Sequence, residues 1–349
     1  MRNLIKNINY SVNKSFQLFS KSLGIKIAAI MALFLIGFFL AKSDNSQVQL
    51  FKRTKILMGT VVEVQVRDKN VDRADLAISK AFDEIKRIDE LFSTHYKESP
   101  VKKINDELNS SVTLNEELFK LILFSDSIVK ISENAFDISL GNLIDLWGFS
   151  SGKQNVPNHE NLNAALINSG WTNIKLETSS KVIFKNQVKF DFGAIAKGYA
   201  VDKAIEILKN NNIEAALVNA GGEIKGYGFN WIVGIQHPRN RNELVEKIII
   251  NEMSAATSGD YEQFFEQDGK RYHHILNPKT GMPANGCQSV TVVCKENKTA
   301  DALATAVFVL GKEKGMKLIG SLKDVEGMII DLHGNIFKSK GFTKFLLRS

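Results

Sequence analysis

Apolar residues recur along the chain at the spacings that helices and strands require. Residues 73–92 carry a helical stripe of apolar side chains, formed by Ala77, Ile78, Ala81, Ile85, Ile88 and Leu91. Helices are also predicted over residues 116–133 and about 194–210. Strands are predicted over residues 55–66, 215–218, 231–235, 247–250, 289–294 and 327–330. Because these elements mix without a βαβ repeat, the pattern favours an α+β fold, with a single mixed α/β domain, over a doubly wound sheet.

Finer patterns suggest how the elements are joined. Residues 45–52 are typical of a polar linker, and residues 182–192 predict a hairpin with Asn186 and Gln187 at its turn. In residues 297–311, Thr299 is the expected N-cap of a helix and Gly311 its C-terminal stop.

The longest apolar run lies near the N-terminus. Residues 27–41 form fifteen uncharged positions, preceded by a basic stretch without acidic residues. This charge order is typical of a secretory signal or an N-terminal membrane anchor, with cleavage after Ser43 as one outcome. We therefore expect a leader over residues 1–44 and one globular domain over residues 45–349. That domain is expected on the periplasmic side of the inner (cytoplasmic) membrane.

Composition narrows the class of protein. Apolar residues make up 44% and charged residues 24% of the chain, a composition that is typical of globular proteins and excludes a fibrous or disordered chain. Of the net charge of +7, residues 1–44 contribute +5 (six basic residues against Asp44), which leaves +2 and argues against nucleic-acid binding. Cys287 and Cys294 are too few for a disulfide scaffold or a zinc site. We expect small core residues, with pairing in an oxidising compartment as the alternative.

A first group of polar residues and glycines spans residues 191–202, where a strand end, a tight turn and a helix start follow one another. A helix N-terminus offers free N–H groups and a positive dipole end to a phosphate. The alternative is structural: Asp191 or Gly193 caps the helix and Gly198 permits close packing.

A second group includes adjacent histidines, His273 and His274, in a stretch that alternates like a strand. Successive strand residues face opposite sides, so only one of the two can face a given pocket. Such a histidine could act as a general acid or base or bind a metal; a core or solvent-exposed histidine is the alternative.

A third group lies in the predicted helix over residues 297–311. Asp301 and Thr305 are four residues apart and share one face near the positive helix end. A carboxylate and a hydroxyl there could hold Mg²⁺ beside phosphates, because Mg²⁺ prefers oxygen ligands. The alternative is an Asp favoured by the helix dipole and a Thr bonded back to its own helix.

Together and in this order, these groups resemble the FAD:protein FMN transferase (ApbE) family. The resemblance covers roughly residues 54–340. Its motifs are MGT at 58–60, STHY at 93–96, AFDISLG at 135–141, LWGF at 146–149, the segment 191–202, VNAGG at 218–222, TSGDY at 257–261, HILNPKTG at 274–281 and ADALATA at 300–306.

The resemblance implies a reaction and assigns roles. FAD is split at its pyrophosphate, FMN is attached to a Ser or Thr hydroxyl of another protein, and AMP leaves. The implied Mg²⁺ ligands are Asp301, Thr305 and the carbonyl of Ala194, and the implied base is His274. The implied FAD contacts are Met58, Tyr96, Ala135, Phe136, Asp137, Asp191 and Lys197. The rings of Phe136 and Trp147 are candidates for packing on flavin or adenine.

Departures from the family pattern are small. Asn277 stands where the family usually has Asp, and no lipidation cysteine follows the apolar run. An FAD pyrophosphatase and a non-catalytic flavin carrier remain alternatives. The family's usual acceptors, subunits of membrane redox pumps and exported electron carriers, are the expected partners, and self-flavinylation is not expected.

Overall fold

Fifteen strands and seven helices follow one another along residues 47–347, the part of the chain that the computed structural model describes. The strands are β1 (Gln49–Leu57), β2 (Thr60–Asp68), β3 (Ser111–Thr113), β4 (Ile174–Glu177), β5 (Lys181–Phe184), β6 (Ala215–Ala220), β7 (Glu223–Tyr227), β8 (Trp231–Gln236), β9 (Leu244–Ile250), β10 (Met253–Gly259), β11 (Phe264–Gln267), β12 (Lys270–His273), β13 (Ser289–Cys294), β14 (Glu326–Ile330) and β15 (Ile336–Lys338). The helices are α1 (Val71–Phe92), α2 (Pro100–Glu107), α3 (Glu116–Ile131), α4 (Gly141–Trp147), α5 (His159–Ile167), α6 (Ala196–Asn210) and α7 (Asn297–Ser321).

A large antiparallel sheet organises these elements, with strand order β1-β2-β6-β7-β10-β13-β14-β15. The other strands pair as β3-β5-β4, β8-β9 and β11-β12. Helices α1, α6 and α7 cover one face of the large sheet, and the β8–β9 hairpin covers part of the other. This mixed architecture confirms the predicted α+β fold class.

Alternation explains which side chains enter the core. Val62, Val64 and Val66 of β2 face the helices and have no exposed surface. Strand β13 is buried along its whole length, because Val292 faces the helices while Val293 faces the β8–β9 hairpin. Thr291, a polar residue within this strand, is buried with its hydroxyl 2.9 Å from Oγ1 of Thr257.

The start of the domain differs from the prediction. Residues 55–66 are not one strand, and residues 49–52 are not linker; instead β1 and β2 form a hairpin whose register pairs Leu57 with Thr60. Its turn places both Met58 (φ 51°) and Gly59 (φ 69°) in the left-handed region. Two-residue turns with both φ positive match the twist of antiparallel strands, but a Met in the first position gives no clear sequence signal.

The predicted hairpin over residues 182–192 is also wrong. Strand β5 ends at Phe184 and pairs with β3 and β4. Beyond it, the backbone of Phe190 is bound by one side chain: its N–H donates to Oδ1 of Asn105 at 2.8 Å, and its carbonyl accepts from Nδ2 at 2.8 Å. An amide side chain thus replaces the neighbouring strand that the alternation predicted.

Helix α7, which carries the predicted metal ligands Asp301 and Thr305, begins and ends differently than expected. Thr299 is not an N-cap, since α7 already begins at Asn297; its first N–H groups, of Asn297 and Lys298, donate to the carboxylate of Asp202 in α6 at 3.0 and 2.9 Å. Gly311 does not end the helix but kinks it (φ 72°, ψ −177°). Capping therefore comes from another helix rather than from the local sequence.

Two sequence-based expectations concern the leader and the cysteines. The leader, residues 1–44, lies outside the described residues, and no helix within residues 47–347 is long and apolar enough to cross a membrane. The signal or anchor therefore stays a prediction, while the residues from Gln49 onward form one compact unit. Cys287 and Cys294 are both buried free thiols, as expected of small core residues.

The capping of α7 by Asp202 can be tested through stability. Asp202 also accepts from Nζ of Lys225 at 2.6 Å, so Asp202→Asn disturbs a buried network. We expect urea unfolding to show a loss of about 2 kcal/mol. Asp75→Asn is the matched control, because it breaks an exposed pair with Arg53 and should cost less than about 0.5 kcal/mol. Equal losses in the two variants would contradict the cap.

Candidate functional site

The three polar groups of the sequence meet at one cavity of about 540 Å³. Its wall includes the β1–β2 turn, the start of α6, the end of β10, the residue after β12 and one face of α7. Nine of the eleven residues predicted from the sequence line it: Met58, Ala135, Asp137, Asp191, Ala194, Lys197, His274, Asp301 and Thr305.

The aromatic candidates are not part of this wall. Phe136 is fully buried in the core, and Tyr96 is 47% exposed but does not line the cavity. Trp147 is also fully buried; its Nε1 donates to the carbonyl of Gly281 at 2.8 Å. Both rings pack in the protein interior, as aromatic residues most often do, and their packing on flavin or adenine stays a prediction. Phe149 is an aromatic residue that does line the cavity.

Helices α6 and α7 come into close contact at Gly198. A Cβ added there would lie 2.6 Å from the carbonyl oxygen of Asn297 and 2.8 Å from Cβ of Asp301. The N–H of Gly198, in the first turn of α6, donates to Oδ2 of Asp301 at 2.9 Å. Neither Asp191 nor Gly193 caps α6, whose N-cap residue Ile195 has no side-chain cap bond. The helix N-terminus is completed by a carboxylate from α7.

The predicted metal ligands supply a set of oxygen atoms that suits Mg²⁺. Asp301 offers Oδ1, and Thr305 offers a hydroxyl that lies 3.2 Å from Oγ of Ser258. Within residues 47–347, the carbonyl of Ala194 accepts no hydrogen bond. Carboxylate, hydroxyl and carbonyl oxygens are the ligands Mg²⁺ prefers, usually together with water. No group of three or more His, Cys, Asp or Glu residues suited to a metal occurs in the described residues, so this site would rest on one carboxylate.

A buried ion pair forms the neighbouring part of the wall. Nζ of Lys197 lies 2.7 Å from Oε1 of Glu223, a residue that is 2% exposed. Burial raises the pKa of the Glu223 and Asp301 carboxyls, and the ammonium of Lys197 opposes this rise. Burial also lowers the pKa of Lys197, but the attraction of Glu223 and Asp301 outweighs that effect and raises it. Lys197 therefore remains a cation at neutral pH.

The two histidines face opposite sides, as strand alternation predicted. His273 is buried, with Nε2 2.7 Å from the carbonyl of Ala284 and its ring edge-on to Phe308. His274 lines the cavity, and its Nδ1 lies 3.2 Å from the carbonyl of Gln263. A carbonyl can only accept, so Nδ1 carries the hydrogen and Nε2 of the neutral ring keeps a free lone pair. Burial lowers the pKa of His274 to about 4, which makes the neutral form dominant at pH 7.

The two predicted aspartates differ in how far the protein already uses them. Asp137 accepts from the N–H groups of Ser139 and Trp171 at 2.8 Å each, one on each carboxylate oxygen. Asp191 accepts only from the N–H of Gly193, at 2.8 Å, among the described residues. Asp137 thus fixes the loop it belongs to, while Asp191 keeps one oxygen for a ligand.

Several lining residues were not predicted from the sequence. Glu223 follows the 218–222 motif directly, and Ser258 lies inside the 257–261 motif, so motif position was the available signal. Asp89 is recognisable only in the structure, where its Oδ2 accepts from the N–H of Met58 at 2.9 Å and holds the β1–β2 turn at the cavity.

Known proteins resemble this chain over most of its length. The model of the ApbE family matches residues 58–329. An FAD:protein FMN transferase of Klebsiella pneumoniae is 31% identical over 302 residues, covering 85% of this chain and 93% of that protein. Another, from Treponema pallidum, is 29% identical and covers 82% and 86%. Among solved structures, an ApbE protein from Thermotoga maritima superposes with a TM-score of 0.81 at 35% identity, covering 86% of this chain and 100% of that one.

The state of His274 gives a testable prediction. Nitrogen-detected NMR should find the ring neutral at pH 7, with hydrogen on Nδ1, and titrating near pH 4 because burial disfavours the imidazolium. Between that pH and the usual value of about 6.5, the unfolded chain binds a proton that the native protein does not, so stability falls as the pH drops through this window. His274→Ala identifies the signal. A titration midpoint at or above the usual value would contradict the assignment.

Proposed function

The chain belongs to the ApbE family, and on that premise we propose that it is an FAD:protein FMN transferase. It transfers the FMN part of FAD to a Ser or Thr hydroxyl of an acceptor protein and releases AMP. The observation that carries this proposal is the cavity itself, which brings together a neutral histidine, a lysine cation and an oxygen set suited to Mg²⁺.

The geometry supports a direct phosphoryl transfer. The acceptor oxygen attacks the phosphorus on the FMN side, that phosphorus–oxygen bond forms, and the bond to the AMP phosphate breaks. Nε2 of His274 is free to take the hydroxyl proton as the new bond forms, and a ring with a pKa of about 4 is ready in its neutral form at pH 7. AMP leaves with the electron pair of the broken bond.

Positive charge for the phosphates comes from α6. Ala196 and Lys197, in its first turn, line the cavity, and the N-cap residue Ile195 adds no side-chain cap of its own to the positive helix end. Mg²⁺, held by Asp301, Thr305 and the carbonyl of Ala194, would neutralise charge on the phosphate oxygens. Asp191, with one carboxylate oxygen free, is placed to accept from a hydroxyl or N–H of the flavin nucleotide.

The leader and the family resemblance support a location and a partner. A basic stretch before the apolar run of residues 27–41 favours a domain on the periplasmic side of the cytoplasmic membrane, attached through that segment or released by cleavage. The acceptor we propose is a subunit of a membrane redox pump or an exported electron carrier.

The reaction is tested with the purified protein, FAD, Mg²⁺ and candidate acceptor proteins. We expect covalent flavin fluorescence on one acceptor in a denaturing gel, AMP in an equal amount, and loss of both with EDTA. Free FMN and AMP without labelled protein would instead identify an FAD pyrophosphatase. FAD binding without any nucleotide product would identify a flavin carrier.

The adjacent histidines provide a matched pair of variants. His274→Ala should bind FAD but lower the transfer rate at least about 100-fold, the usual loss of a general base. His273→Ala should keep most of the rate per folded molecule, because its ring faces Phe308 and away from the cavity. Stopped-flow FAD binding and single-turnover labelling measure the two steps. Equal losses of rate in both variants, with FAD binding intact, would contradict the role of His274.

A further inference from the structure

More than one carboxylate lies near the ammonium group of Lys197. Glu223, Asp301 and Glu262 all act on its charge, and all three line the same cavity. Its ammonium pairs with Glu223 at 2.7 Å, and no other carboxylate in residues 47–347 lies within 4 Å of it. The ammonium group therefore pairs with one of three nearby carboxylates, and this selective pairing is a specific feature of the site.

Asp301 stays free of the cation although it is almost fully buried. It is 4% exposed, and its one hydrogen bond within the described residues is from the N–H of Gly198 to Oδ2. A buried carboxylate beside an ammonium gains strongly from pairing with it, because little water screens the attraction. Such a pair would use the oxygen, Oδ1, that a metal ion needs.

Glu223 is held in a way that structural stability alone does not explain. Its Oε2 is buried and has no hydrogen-bond partner among the described residues. An ion pair retained for stability usually satisfies both carboxylate oxygens, because an unpaired buried oxygen is costly. Backbone geometry fixes the residue: Glu223 follows Gly221 (φ 70°) and Gly222 (φ 108°) and pairs with Ala220 in the β6–β7 register.

We propose that Glu223 is a positioning residue that holds the ammonium of Lys197 away from Asp301 and so keeps Asp301 available to Mg²⁺. This inference rests on the proposed function, in which Asp301 is the metal's carboxylate ligand. Glu223 itself touches neither the metal nor the reacting atoms. Without it, the ammonium would move to the remaining buried carboxylate and compete with the metal ion.

Metal binding without turnover tests this division of roles. Mg²⁺ affinity is measured by calorimetry, and Mn²⁺ affinity by electron paramagnetic resonance, with neither FAD nor acceptor present. Glu223→Gln should weaken both affinities about tenfold, since the freed ammonium occupies Asp301. Glu262→Gln is the matched control: it removes one charge from the same cavity but leaves the Lys197–Glu223 bond intact, and should weaken binding only about twofold.

A double variant separates competition from damage. Lys197→Met removes the competing cation, so Lys197→Met/Glu223→Gln should bind Mg²⁺ within about twofold of Lys197→Met alone. A structural or direct metal role of Glu223 would leave the double variant as weak as Glu223→Gln. That result, or an unchanged affinity in Glu223→Gln, would overturn the proposal.

The remaining outcomes are also informative. If thermal unfolding shows that Glu223→Gln does not fold, the comparison of Lys197→Met with the double variant decides, because the double variant removes both members of the buried ion pair and leaves neither charge of that pair without its partner. A difference between those two overturns the proposal. Asp301→Asn sets the lower limit of affinity; if it binds Mg²⁺ like the unaltered protein, the metal role of Asp301 and this proposal both fail. Flavin transfer by the unaltered protein is scored separately, so failure of the proposed function is recognised on its own.

Discussion

The site depends on one close contact between two helices, at Gly198 of α6 and the start of α7. There the helices complete each other's N-termini: Asp202 of α6 accepts from the first amides of α7, and Asp301 of α7 accepts from the amide of Gly198. A side chain at position 198 would collide with the backbone of Asn297. Because both caps are carboxylates from the opposite helix, the predicted metal ligands on α7 and the predicted phosphate end of α6 are positioned together.

Periodicity predicted the parts of the fold whose environment is simple. The stripe of α1 and the alternation of β2 follow directly from one buried face and one exposed face. It failed where a distant partner decides the local structure. Asn105 replaces a strand neighbour for Phe190, so residues 186–192 resemble a strand in sequence without being one. Asp202 caps α7 in place of Thr299, the local cap that the sequence suggested. Neither the contact of Asn105 with Phe190 nor that of Asp202 with α7 can be predicted from sequence spacing.

In the site, too, some features were predictable from the local sequence and others depend on distant residues. Strand alternation was sufficient to separate His273 from His274, because only the direction of successive side chains mattered. Ring contacts for Phe136 and Trp147 were not predictable in that way, since an aromatic residue has the same sequence signature in a core and in a binding wall. The role of Glu223 is recognisable only from its contact with Lys197, which lies 26 positions earlier in the chain but 2.7 Å away in space.

Charge explains why such a cavity would need a divalent ion. Among its lining residues in the described chain, Lys197 is the one lysine or arginine, against six acidic side chains, those of Asp89, Asp137, Asp191, Glu223, Glu262 and Asp301. Burial raises the pKa of five of these carboxyl groups, all but Asp89, because negative charge is unfavourable in this partly desolvated space, and a diphosphate that enters it adds further negative charge. The positive end of α6 supplies a partial charge only, and Lys197 is already paired. A cation that binds carboxylate and phosphate oxygens together would turn the excess of acidic groups from a barrier into part of the binding site.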